Sequence, residues 1–312
     1  MTHAFVFPGQ GSQSVGMLDA LAAAEPLVRD TFAEASAALG YDLWQLVSAG
    51  PDDALNSTER TQPALLVAGV AVWRVWCMHG GPAPACLAGH SLGEYTALVA
   101  AEALDLATAV KLVEFRGRAM QAAVPPGVGA MAAVLGLDDD AVRAACAESA
   151  AGEVVAAVNL NSPGQVVIAG NVAAVERAAA ACKARGAKRV VPLPVSVPSH
   201  CALMQPAAKA LEQRLATTEL RAPRIPVVHN FDVEAHQDPA AIKRALVAQL
   251  HSPVRWVECV AALKARGATR IVECGPGKVL AGLVKRIDKE LEGLAIFDPA
   301  TLTAARAALE AR

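Results

Sequence analysis

The chain of 312 residues is 54% hydrophobic and 19% charged, long enough for one large or two ordinary domains and too apolar to be disordered. Lys and Arg number 28 against 30 Asp and Glu, and the formal net charge of -2 argues against nucleic acid as the main partner. Aromatics are only 4%, which disfavours a ring-built carbohydrate or quaternary-ammonium site, while abundant alanine points to close packing of helices on a sheet. The longest apolar stretches, Ala64 to Trp73 and Val128 to Leu137, are about half the length of a bilayer-spanning helix, so a soluble protein with no membrane partner is expected. The start, MTHAFVFPGQ, shows no secretory pattern. The seven cysteines are scattered and never in CxxC spacing, which suits reduced thiols in the cytoplasm and supports neither disulfides nor a metal site.

A short strand pattern, Ala4 to Phe7, runs into the turn-rich segment Pro8 to Gln13. Apolar residues then recur at helical spacing from Met17 to Leu39 and from Gln62 to His79, before the break at Gly80-Gly81-Pro82. Ala85 to Gly89 reads as a strand leading through GHSLG into a helix that ends near Ala101, and a further helix spans Ala107 to Ala122. After Pro125-Pro126-Gly127 the pattern is strand (Gly129 to Gly136), Asp-capped helix (Asp138 to Ala150), strands Val154 to Leu160 and Gln165 to Ala169, a helix capped by Asn171 and ending at Arg185, and a strand Val190 to Val195. This βαββαβ order is that of a ferredoxin-like subdomain. Alternation then resumes with helices at Leu203 to Leu215, Ala240 to Leu250, Pro253 to Arg266 and Gly277 to Leu291, and strands at Pro226 to His229 and Thr269 to Glu273. The expected architecture is a large α/β-hydrolase-like domain with a parallel sheet, residues 1–125 and 198–312, interrupted by a small ferredoxin-like insert, 126–197.

Gly89-His90-Ser91-Leu92-Gly93 is a GxSxG sequence between a strand pattern and a helix pattern, the context of a nucleophile elbow. Such a turn exposes Ser91, and the amide of Leu92 at the helix start suits an oxyanion. His90 sits inside the elbow, where its side chain is not expected to point with that of Ser91. For a base, His200 closes the proline-bounded loop from Val195 at the re-entry to the large domain, while His229, His236 and His251 remain open on spacing alone. Arg116 falls beside the apolar stripe of its helix, so its guanidinium turns inward and needs an anion, either a carboxylate of the protein or one on a substrate. The loop Phe7 to Gly11 lacks the third glycine of a dinucleotide fingerprint, but its Gln10 amide can serve an oxyanion. Gly275-Pro276-Gly277-Lys278 lacks phosphate-loop spacing and reads as a strand-to-helix turn. Cys201, beside His200, reads as packing.

The runs FVFPGQGSQ (5–13), GHSLGEY (89–95), VEFRGRAMQ (113–121), NSPGQVVIAG (161–170), VPSHCALM (197–204), QLHSPVRW (249–256) and ECGPGKVL (273–280) together resemble the malonyl-CoA:acyl-carrier-protein transacylases. The resemblance implies a ping-pong transfer of malonyl from malonyl-CoA to the phosphopantetheine thiol of holo acyl carrier protein in fatty acid biosynthesis, with no cofactor. It implies Ser91 as nucleophile and His200 as base, an oxyanion hole of Gln10 and Leu92, and Arg116 as the clamp on the free malonyl carboxylate. A backbone carbonyl near Gln249 would orient the histidine, and His90 joins the residues around the substrate. His229 departs from the amide residue expected in relatives, whereas Pro198-Ser199 before His200 favours a fatty-acid role. A malonate decarboxylase subunit would share the elbow, histidine and arginine; a serine acyl hydrolase would share the elbow without needing Arg116; an inert carrier-binding scaffold would need none of the three. Lys183, Arg185, Lys188 and Arg189 read as a solvated helix end with the charge to attract an acidic carrier protein.

Overall fold

The computed structural model describes residues 2–195 and 197–310. Met1, Ala311, Arg312 and Ser196 of the loop before His200 lie outside the described residues. Five consecutive buried residues make the first strand, β1 (His3–Phe7), the pattern of a strand covered on both faces. The run read as one helix from Met17 to Leu39 is two, α1 (Asp19–Ala24) and α2 (Pro26–Leu39), because Glu25 is extended and Pro26 opens a helix but cannot continue one. Two short helices absent from the sequence reading, α3 (Leu43–Ala49) and α4 (Asp52–Leu55), lead to α5 (Thr58–Met78), β2 (Cys86–Gly89), α6 (Gly93–Ala100) and α7 (Leu106–Ala123). Helix α5, at 21 residues, is long and apolar enough to cross a membrane by length and composition. It is instead continuously buried from Thr61 to Val72 and packs against α2, α6 and α7.

The middle of the chain carries β3 (Gly129–Leu135), α8 (Asp139–Ser149), β4 (Val155–Ser162), β5 (Gln165–Asn171), α9 (Val172–Ala184) and β6 (Arg189–Pro192). They form an antiparallel sheet in the order β4-β5-β3-β6, the ferredoxin-like arrangement that the βαββαβ pattern implied. Asp138 caps α8 by accepting from the Ala141 N–H. Asn171 stands at the start of α9 without capping it; its side chain accepts from the Val154 N–H, tying the ends of β4 and β5. Strand β6 stops at Pro192, short of Val195, since neither Pro192 nor Pro194 has an N–H for the ladder.

A turn at Ala202–Met204 leads back to α10 (Gln205–Ala216), β7 (Val227–Val228), α11 (Pro239–His251), α12 (Trp256–Ala265), β8 (Arg270–Cys274), α13 (Val279–Ile287), β9 (Glu292–Ile296) and α14 (Pro299–Glu310). Helix α12 starts at Trp256 and not at Pro253, because Val254 is extended: its N–H donates to Val158 O at 2.8 Å and its carbonyl accepts from Leu160 N at 3.0 Å, stitching β4 to the rest of the chain. Helix α13 ends at Ile287, short of Leu291, where Asp288 is extended; β9 and α14, not read from the sequence, complete the fold.

The large sheet is wholly parallel, in the order β7-β2-β1-β8-β9. Alternate residues of β1 face opposite layers, Phe5 and Phe7 toward α5, Ala4 and Val6 toward α12 and α13, so the two-residue period of the strand divides the core in two. Pairing of Phe7 with Gly89 sets the carboxyl ends of β1 and β2 side by side. The order of strands reverses on the other side of β1, between β1 and β8, and at such a reversal open α/β sheets hold ligands beyond the carboxyl ends of their strands.

Candidate active site

The chain leaves β2 at Gly89 and enters α6 at Gly93 with only His90, Ser91 and Leu92 between. A Cβ on Gly89 would lie 1.8 Å from Gly93 C, and one on Gly93 would lie 2.1 Å from Phe7 O, so both positions require glycine for the close approach of three backbone segments. Ser91 pays for this turn with a left-handed φ of 51°. Its N–H donates to Asn230 Oδ1 at 2.7 Å and its carbonyl accepts from Gln249 Nε2 at 2.9 Å, so the strained residue is held from both sides.

Ser91 Oγ lies 2.7 Å from His200 Nε2, and His200 Nδ1 lies 2.7 Å from the carbonyl of Gln249. A carbonyl only accepts, so Nδ1 carries the hydrogen and Nε2 is left to accept the serine proton. Burial, and next the neighbouring Arg116 charge, pull His200 down to about 3 against the opposing effect of the Gln249 carbonyl. The ring is therefore neutral near pH 7, the form a general base needs.

Arg116, on α7, is 1% exposed. Its Nη1 donates to Gln62 Oε1 at 2.9 Å, and its Nη2 donates to Gln249 Oε1 at 3.0 Å and to Ser91 Oγ at 3.3 Å. Nε has no partner. Of the two anions left open by the sequence, the first is not found: among the described residues no carboxylate lies within 4.0 Å of the guanidinium. Burial lowers its pKa, while Tyr95 and Glu94 oppose the shift.

Gln10 and Leu92 border the same cavity as Ser91, Arg116 and His200, and neither backbone N–H has a partner among the described residues. His90 also borders it, turned to Asn161, whose Oδ1 is 2.9 Å from His90 Nε2, and packed 5.4 Å from the Trp256 ring. Burial lowers the His90 pKa. Met131 and Asn159 close the cavity from the small sheet. Sequence reasoning missed Gln62, Glu94, Asn161 and Asn230; a glutamine opening the apolar run of α5 was the visible signal for the first.

The other histidines lie elsewhere. His229 is bound to Glu94, His236 to Asp232, His79 to Glu25, and His3 contacts the Pro82 carbonyl. Cys201 donates to Pro198 O, and burial pushes its thiol up to about 11, so it is packing. Lys183, Lys188 and Arg189 are exposed, and Arg185 pairs with Glu148. The Gly275 to Lys278 turn joins β8 to α13 as expected.

A strained serine, a neutral histidine and two free amides make an acyl-transfer site, and a family profile described as acyl transferase domain matches residues 4–297. The chain belongs to the acyl transferase family. Within that family it is 61% identical over 302 residues to the malonyl CoA-acyl carrier protein transacylase of Salmonella typhimurium, covering 97% of this chain and 98% of the relative. The crystal structure of an acyl carrier protein S-malonyltransferase from Vibrio cholerae superposes with a TM-score of 0.96 at 61% identity, over 98% of this chain and 100% of that one. A malonyl-transacylase in complex with a type II PKS acyl-carrier protein superposes with a TM-score of 0.98 at 56% identity, over 99% of this chain and 100% of that one. The acyl transferase match spans both sheets, so the small antiparallel one is part of the family fold.

Proposed function

We propose that this acyltransferase moves a malonyl group from malonyl-CoA to the phosphopantetheine thiol of holo acyl carrier protein, supplying fatty acid biosynthesis in the cytoplasm. The observation that carries the reading is a buried guanidinium with no carboxylate partner among the described residues, 3.3 Å from the oxygen of an activated serine. An esterase for neutral esters has no use for such a cation; an acyl group ending in a carboxylate does.

Ser91 Oγ attacks the thioester carbonyl while its proton passes to His200 Nε2, and the Gln10 and Leu92 N–H groups take the negative charge on the carbonyl oxygen. The C–S bond breaks, CoA leaves with the proton from His200, and malonyl-Ser91 remains. The carrier thiol then gives its proton to His200, attacks the ester carbonyl and restores the serine. Throughout, Arg116 holds the distal carboxylate with Gln62 and Gln249 fixing its fork, and His90 forms part of the cavity wall. Residues 1–125 and 198–312 act as the catalytic domain, and 126–197 as the small domain that closes the acyl pocket, a division supported by the two separate sheets. Seven free cysteines support the cytoplasmic setting.

Initial rates with malonyl-CoA and holo carrier protein varied together test the reading. Parallel double-reciprocal lines are expected of an acyl-enzyme. Converging lines contradict a covalent intermediate, and free malonate released as fast as malonyl-CoA is consumed makes the protein a hydrolase.

A further inference from the structure

Glu94 lies in the first turn of α6, completely buried, and each of its hydrogen-bond partners is a donor. Its Oε1 meets His229 Nδ1 at 2.6 Å; its Oε2 accepts from Asn230 N and from Gln249 Nε2, each at 2.9 Å. The carboxylate therefore decides which way the Gln249 amide faces. Its NH2 group must point to Glu94, which leaves Oε1 toward Arg116 Nη2 at 3.0 Å. The flipped amide would set oxygen against the carboxylate and against the Ser91 carbonyl, and NH2 against the guanidinium, three repulsive contacts in place of three bonds.

One neutral amide thus stands between two buried opposite charges. A guanidinium buried with no counter-charge is unstable, yet a carboxylate in direct contact would fill the fork that substrate must occupy. We propose, resting on the malonyl reading above, that Glu94 is a positioning residue: it is the counter-charge of Arg116 at one amide's remove, and through Gln249 it keeps the guanidinium charged, oriented and free for the substrate carboxylate. His229 donates to the other oxygen of Glu94 and so keeps that carboxylate from turning away, which gives this histidine a place in the site it does not touch.

Glu94 also reaches the nucleophile, because Asn230 and Gln249 bind the Ser91 backbone. The test must separate the clamp from the nucleophile, and comparing malonyl-CoA with acetyl-CoA does so, since acetyl lacks the carboxylate. In Glu94→Gln, the KM for malonyl-CoA is expected to rise by about tenfold or more, with kcat and acetyl loading within about threefold of the parent, the size of effect of weakening a charge-assisted contact. An unchanged KM and malonyl-to-acetyl ratio overturns the proposal, and so does a fall in kcat shared equally by both donors, which would assign Glu94 to the serine alone. Should Glu94→Gln fail to fold, the double variant Glu94→Gln with Gln249→Glu decides. It keeps the buried charges balanced but sets a carboxylate directly on Arg116, so malonyl preference should vanish, and retained preference overturns the proposal. A parent protein that forms no malonyl adduct would sink the malonyl reading itself; a parent that does, beside an unaffected Glu94→Gln, sinks only the role of Glu94.

Discussion

Arg116 and His200 share one buried space, and the cation helps hold the imidazole neutral. Removing the guanidinium in Arg116→Ala should lower malonyl loading of Ser91 by about 100-fold, the equivalent of roughly 3 kcal/mol for a lost bidentate charged contact, without lowering acetyl loading. An unchanged malonyl rate, read by stopped-flow or quench, would remove Arg116 from the clamp. His200 gives a pH prediction with a definite sign. An unfolded imidazole titrates near 6.5, whereas burial first and Arg116 second bring the folded one to about 3. Between those values the unfolded chain binds a proton that the folded chain refuses, so stability rises with pH across the window and is lost on acidification. Loading rates should accordingly stay level from pH 8 to about 5, and a half-maximal point near 6.5 would contradict a neutral His200. Ser91 was legible because an elbow is local: its glycines, strand and helix are contiguous. His200 was not decided by spacing, since a base meets its nucleophile only in space, and family resemblance supplied what chain order lacked. The inward turn of Arg116 followed from helical period, but its glutamine partners lie on α5 and α11, far from it in sequence.

At the scale of elements, the β2-to-α6 elbow is fixed by contact with the end of β1. In Gly93→Ala the added methyl would meet Phe7 O at 2.1 Å, and backbone cannot move aside as a side chain can. A loss of about 3 kcal/mol or more in denaturant unfolding is expected, with acylation of Ser91 abolished; a loss below about 1 kcal/mol would show that the elbow has slack. A second element depends on charge. Glu273, at the end of β8, accepts from Ala281 N of α13 at 2.8 Å while its other oxygen has no partner among the described residues. Burial raises its pKa to about 7, against the lowering effect of the α13 amides. Here the folded chain binds the extra proton, between roughly 4.5 and 7, so this group's contribution to stability falls as pH rises through that window. Compared with Glu273→Gln, the parent should lose roughly 3 kcal/mol more between pH 4.5 and 7.5; parallel stability curves would rule out a raised carboxyl. Periodicity located the long elements well and their ends poorly. Pro26 divides what the apolar pattern joins, and Val254 is drawn from its helix into a bridge with β4 that no local signal announces. The edge strand β9 and the last helix α14 were overlooked because their partly exposed faces dilute the pattern.

For the whole molecule, the site belongs to neither sheet alone. Serine, histidine and arginine come from the large parallel unit, while Met131 and Asn159 of the small antiparallel unit close the cavity over them. The insert was visible in the sequence because βαββαβ interrupts a β/α alternation between two proline-rich joints; the stitching of β4 to Val254, which fixes it over the nucleophile, was not. The claim that joins all these parts is a malonyl-serine that hands its acyl group to a carrier thiol. Intact-protein mass spectrometry after brief exposure to malonyl-CoA, followed by holo carrier protein, tests it most directly. The parent should gain one malonyl group and lose it to the carrier, acetyl-CoA should load it far more slowly than malonyl-CoA, and Ser91→Ala should gain nothing. An adduct that survives in Ser91→Ala, or that leaves as free malonate in the presence of carrier, would contradict it.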